Sequence, residues 1–155
     1  MTETLSMQRR RSILAELIRR VLEAMFGLEV RCRAQSAGSS GAAEVTAAVY
    51  FAGQWHGALV LDCTMAHARA WTARLLGRPV CSSHDEAARD GLVEIANLLA
   101  GKLKPLLPPG SVVPIPVPGS GHGASVCGLT CAEHLSFADP YGAFRVTLVQ
   151  VAENA

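Results

Sequence analysis

Asp90, Glu94, Asn97 and Gly101 are the residues of this chain whose types and spacing could do chemistry together. They lie in the segment Asp85–Lys104, where a turn of about 100° per residue gathers all four within roughly 60° of arc. Leu92, Ile95, Ala96, Leu99, Leu103 and Leu106 fill the opposite side, so the segment reads as an amphipathic helix with a narrow polar stripe. A carboxamide such as that of Asn97 can accept a hydrogen bond through its oxygen while donating through its nitrogen, which suits it to position a small molecule. It is too weak a base to take a proton. A carboxylate such as Glu94 can anchor a cation through a charge-assisted hydrogen bond. Gly101, one turn beyond Asn97, leaves room for another molecule to approach. The competing reading is a plain solvated face. Such a face would favour Glu, Lys, Gln and Ala over Asn and Gly, since Gly alone costs about 1 kcal/mol against Ala inside a helix.

The elements that must position this stripe can be read along the chain. Residues 1–8 look like a disordered tail, and residues 9–155 form one domain, long enough to bury a core. Ile13, Leu14, Leu17, Ile18, Val21, Leu22 and Met25 repeat at helical spacing up to Gly27. Leu28–Ala34 alternates as a strand, with Leu28, Val30 and Cys32 inward. Gln35–Ala43 is a Gly/Ser/Ala-rich loop. Glu44–Phe51 and His56–Asp62 form a hairpin, and Thr64 caps a helix that ends at Leu76 before Gly77. Ser83–Glu86 is a capping box for the motif helix. Pro105 should kink or end that helix. Pro114, Pro116 and Pro118 confine Val112–Pro118 to a sheet edge or exclude it from the sheet. Gly119–Ser125 is a loop, and Val126–Ala138 pairs with Ala143–Val151 across a turn at Asp139–Gly142.

With its single copy of Asp90-x-x-x-Glu94-x-x-Asn97-x-x-x-Gly101 on a long helix, the chain resembles the CheC/CheX/FliY phosphatases of bacterial chemotaxis, and CheX most. The specific likeness covers about residues 85–107. It implies an α+β fold in which two long helices pack on a mostly antiparallel sheet, as a pseudo-symmetric repeat with an extra connecting helix. It implies an enzyme that hydrolyses the aspartyl phosphate of a phosphorylated CheY-like response regulator. Glu94 and Asn97 fall on the family's two functional positions, Asp90 and Gly101 on its supporting ones. On that footing Asn97 holds a water in line with the phosphorus, and Glu94 docks against a lysine of the regulator. Mg²⁺ would be held by the regulator, and no cofactor by this chain. Proteins of this kind pair through the sheet, so a homodimer is expected. The alternative is a non-catalytic interaction module of the same fold that binds a two-component signalling partner. A further one is an unrelated α+β scaffold or small metal protein.

The order of elements repeats: helix, strand and hairpin over 10–62, then again over 84–151, with the helix 64–76 between. Aligning the two long helices sets Ser12 against Asp90, Glu16 against Glu94, Arg19 against Asn97 and Glu23 against Gly101. The first copy keeps a Ser and a Glu but lacks the Asn and the Gly.

Composition narrows the remaining options. Half of the residues are hydrophobic and the net charge is +1, which gives no case for disorder, nucleic-acid binding or attraction to an anionic membrane. Arg9–Arg11 reads as a solvated helix start, and no apolar run reaches spanning length. Five irregularly spaced cysteines without a secretion signal read as reduced, mostly buried thiols of a cytoplasmic protein. His122, Cys127, Cys131 and His134 invite a zinc reading, but strand periodicity turns His134 away from the two cysteines. Trp55 and Trp71 read as core or interface, and the solitary His56 and His67 as structural or exposed. No Ser-His-Asp set, P-loop or dinucleotide fingerprint is present.

Overall fold

The computed structural model describes residues 2–33, 44–51, 57–78, 85–106, 115–117 and 129–151. Helix α1 spans Thr2–Phe26. It therefore begins well before the expected start, and residues 2–8 are helical rather than a tail. Glu3, Leu5, Met7 and Gln8 are good helix formers with no Gly or Pro among them, so nothing local stops the helix earlier. At its other end Gly27 takes φ +66° and returns its N–H to Glu23 O at 2.8 Å. Leu14, Ile18, Leu22 and Phe26, four residues apart, form its buried stripe.

Among the described residues the sheet has six strands. They are β1 (Arg31–Arg33), β2 (Val45–Phe51), β3 (Gly57–Cys63), β4 (Ile115–Val117), β5 (Leu129–Asp139) and β6 (Gly142–Val151). All pairs are antiparallel, and the sheet order is β1-β5-β6-β3-β2-β4. Exchanging the first three strands for the last three reverses this order without changing it. The sheet is thus pseudo-symmetric, and each half's short strand pairs with the long strand of the other half. Among the described residues β4 pairs only with β2, so of the two expectations for the proline-bearing segment the edge strand holds. β1 is shorter than expected. Leu28 and Val30 pack into the core, but Cys32 is exposed, contrary to its inward parity. The charges that act on its thiol are Glu16 and Arg19 of α1, so its side of the edge strand meets a charged stretch of helix instead of leucines.

Helices α2 (Met65–Leu76) and α3 (Asp85–Leu103) complete the chain. Thr64 caps α2 by accepting from His67 N at 3.1 Å, and Gly77, at φ +66°, closes it. Past Leu103, the α3 chain tightens into a 3-10 turn over Lys104–Leu106, because Pro105 has no N–H to continue the ladder. α1, α2 and α3 bury their apolar stripes in one core with Val45, Val49, Phe51, Leu59, Leu61, Phe137, Phe144 and Val146 of the sheet. The other sheet face carries Ala48, Ala58, Val60 and Val149, which are buried as well. Ser83 and His84, with the expected capping box, and the loops at 35–43 and 119–125 lie outside the described residues. So do Trp55, His56, His122 and Cys127.

Candidate functional site on helix α3

The motif stripe lies on the solvent side of α3. Leu92, Ile95, Ala96, Leu99 and Leu103 are fully buried beneath it, which fixes the rotation of the helix. Asp90, Glu94 and Gly101 are exposed, and Asn97 is half-buried. Among the described residues, none of Asp90, Glu94 and Asn97 makes a side-chain hydrogen bond or ion pair. The sequence around Glu94 explains this. Its neighbours three and four residues away are Asp90, Gly91, Asn97 and Leu98, none of them a cation. Glu86, Asp90 and Glu94 even follow one another at four-residue spacing, a mildly repulsive acidic column on the helix surface. A Cβ built on Gly101 would meet nothing within 4 Å, so the ground beside Asn97 is open.

Another glycine of α3 does the opposite. A Cβ on Gly91 would fall 2.1 Å from Thr72 Oγ1, so α2 is pressed directly against the α3 backbone there. Thr72 Oγ1 also donates to Ala88 O at 3.5 Å. Arg69 of α2 pairs with Asp85 at the start of α3. α2 in turn is held to the β5–β6 turn by a buried polar group. His67 Nε2 lies 3.0 Å from Asp139 Oδ2, and both side chains are only 1% exposed. Trp71 Nε1 donates to the same oxygen at 2.8 Å, and Tyr141 N donates to Asp139 Oδ1 at 2.8 Å. Burial pushes the Asp139 carboxyl up, but the bond and charge of His67, with the Tyr141 and Trp71 donors, bring it below the usual range. Trp71 stacks on Phe26 of α1 at 5.2 Å between ring centroids. The motif helix is thus braced through α2 to both α1 and the sheet.

The corresponding face of α1 is closed upon itself. Arg19 donates to both oxygens of Glu16, at 2.6 and 3.0 Å, and also bonds Glu23. Arg20 donates to Glu16 at 2.9 Å. Hydrogen bonds from Arg19 and then Arg20 hold the Glu16 carboxyl at about 2.

Sequence reasoning found the four motif residues but missed four others. Leu98, which the helical pattern left unassigned, is 41% exposed on the motif face. Gly91 carried a readable signal, a glycine inside a helix, and was passed over. The His67–Asp139 pair joins residues 72 positions apart, for which a single sequence holds no signal.

A family model described as "Chemotaxis phosphatase CheX" matches residues 45–131, more than half of the chain and all of α2 and α3. The chain belongs to the CheX family. Solved structures agree in fold. The chemotaxis protein CheX of Desulfovibrio desulfuricans is similar at TM-score 0.66 and 20% identity, over 92% of this chain and 99% of that one. A CheC-like superfamily protein of a Shewanella species gives 0.68 at 20% identity, over 92% and 97%. The CheX of a CheX–CheY–BeF3–Mg²⁺ complex from Borrelia burgdorferi gives 0.65 at 17% identity, over 90% and 96%. No curated protein matches by sequence. These structures bear out the CheX-like fold of two long helices on an antiparallel sheet. No helix among the described residues is long and apolar enough to cross a membrane.

Proposed function

We propose that this CheX-family chain hydrolyses the aspartyl phosphate of a phosphorylated, CheY-like response regulator. The observation that carries the reading is the pair Glu94 and Asn97, one turn apart, the first exposed and the second half-buried, with neither side chain bonded to any of the described residues. The family description and the CheY complex of a structurally similar CheX support the class of partner. An acyl phosphate hydrolyses slowly without help. Asn97 accepts a hydrogen bond from the attacking water and donates one to a phosphoryl oxygen, setting the water in line with the phosphorus. The water oxygen bonds to phosphorus as the bond to the aspartyl oxygen breaks, which releases inorganic phosphate and the regulator's carboxylate. The logic is that of the glutamine that orients water in some GTPases. Glu94 anchors a lysine of the regulator, and its lack of an intrahelical cation leaves the carboxylate available. Asp90 adds to the negative field, and Gly101 keeps the approach to Asn97 open. Mg²⁺ resides on the regulator and neutralises the phosphoryl oxygens.

The chain works as a homodimer in this reading, because β1 covers β5 only at Ser136–Ala138 and leaves the outer edge of Leu129–Leu135 without a strand among the described residues. Light scattering at tens of micromolar checks this, and a monomer would remove the dimer while leaving the site intact.

The deciding experiment measures phosphate release from a panel of phosphorylated regulators with wild-type and Asn97→Ala protein. Accelerated release that disappears in the variant is expected. A regulator that binds but loses phosphate equally fast with both proteins would show a docking module instead of an enzyme.

A further inference from the structure

Leu98 breaks the polar pattern of the motif face. At about 100° per residue it lies roughly 40° from Glu94, on the flank opposite Asn97. Glu94, Asn97, Leu98 and Gly101 therefore have the i, i+3, i+4, i+7 spacing of a helix face that docks as a unit. Ile13, Leu76 and Tyr141 are also exposed, but none of them belongs to this face. The face is graded in charge. Glu86, Asp90 and Glu94 precede Leu98, and the exposed Lys102 and Lys104 follow it. The equivalent position on α1 is Arg20, which bonds Glu16 and helps to occupy it.

We propose that Leu98 is a specificity-determining residue for regulator docking: it supplies the apolar contact at the centre of a charge-graded face and, by not being a cation, keeps Glu94 free. The occupant is a receiver domain with its phosphorylated aspartate over Asn97, which rests on the phosphatase reading above. That domain suits the face, with a lysine toward Glu94 and an apolar side chain over Leu98. A basic residue at position 98 would instead pair with Glu94 at the favourable i, i+4 spacing, as Arg20 does with Glu16.

The test titrates regulators loaded with beryllofluoride and Mg²⁺ against wild type, Leu98→Ala, Leu98→Arg and Leu98→Met, with circular dichroism to confirm that each variant folds. Leu98→Ala should weaken binding about tenfold, in the range of a well-packed interface contact. Leu98→Arg should weaken it further. Leu98→Met should recover most of the affinity, and KM for the phosphorylated regulator should rise more than kcat falls. Unchanged binding by Leu98→Ala and Leu98→Arg would overturn the proposal. So would a change in oligomeric state without a change in regulator affinity, which would assign the leucine to a contact between copies. Regulator binding that depends on Leu98, without accelerated phosphate release by wild type, would overturn the phosphatase reading alone.

Discussion

Helices α1 and α3 occupy equivalent places in the two halves of the sheet, yet their outward faces have opposite chemistry. On α1, Glu16 is claimed by Arg19 and Arg20, and Glu23 by Arg19. On α3, the equivalent positions hold Glu94, Asn97, Leu98 and Gly101, and the two polar side chains bond to nothing among the described residues. The α1 face satisfies its own charges, whereas the α3 face leaves its polar groups for another molecule. The helices also differ at their supports. Gly91 is buried beneath Thr72, whereas its counterpart Ile13 is 50% exposed. The connecting helix α2 therefore braces the α3 backbone at a point where α1 has no such support. An α-helix surface becomes a site here by two changes: cations that would neutralise it are absent, and a neighbouring helix fixes its position.

The brace is the most sensitive part of this difference. Asp139→Ala leaves His67 and Trp71 Nε1 buried without their shared acceptor and should destabilise the fold by about 3–5 kcal/mol, as for other broken buried pairs. Chemical denaturation measures it. The same group sets an acid limit. Because its folded-state pKa is depressed, its contribution is complete above the unfolded value of about 3.9 and is lost as pH falls through the lower folded value. Wild-type stability should therefore decline below about pH 4. The decline should be shallower in Asp139→Asn.

Next in size is Asn97→Ala, which should lower the rate of regulator dephosphorylation on the order of a hundredfold while changing binding little. Glu94→Ala should weaken binding and rate together by about tenfold, since it removes an anchoring charge. Stopped-flow phosphate release and regulator titration separate the two. Gly91→Ala drives a methyl into Thr72 and should cost about 1–3 kcal/mol, with partial recovery in the double variant Gly91→Ala/Thr72→Ala. Gly101→Ala meets no neighbour and should be neutral or stabilising by up to about 1 kcal/mol. Equal effects at the two glycines would erase the distinction between the braced and open parts of α3. The smallest effect belongs to α1. Arg19→Ala should leave phosphatase activity unchanged and barely shift stability, because exposed ion pairs contribute little. Its signature is instead a Glu16 carboxyl that rises from about 2 toward the ordinary range, visible by NMR titration.

Local patterns made most of the fold legible. Thr64 and Gly77 bound α2, Pro105 ends α3, and the turn between Asp139 and Gly142 closes the final hairpin, each through backbone preferences that act within a few residues. Polar residues at helical spacing likewise placed Glu94 and Asn97 together. What escaped was nonlocal or a matter of context. Cys32 has inward parity on β1, but parity cannot say that the helix stretch above it is charged. Leu98 has a core residue's type and a surface residue's angle, and the angle decided. The start of α1 at Thr2 was missed because the apolar repeat, the cue used to find the helix, begins only at Ile13.

The pairing of β1 with β5 and of β4 with β2 has a further consequence. Each half of the chain completes the other's sheet, so the halves are interlaced instead of sitting side by side. A fragment ending before α2 would carry one helix, one hairpin and a short strand whose partner belongs to the missing piece. Two such fragments could restore the sheet only by association. In the single chain α2 joins the two halves, so the two long helices can carry different faces above one shared sheet.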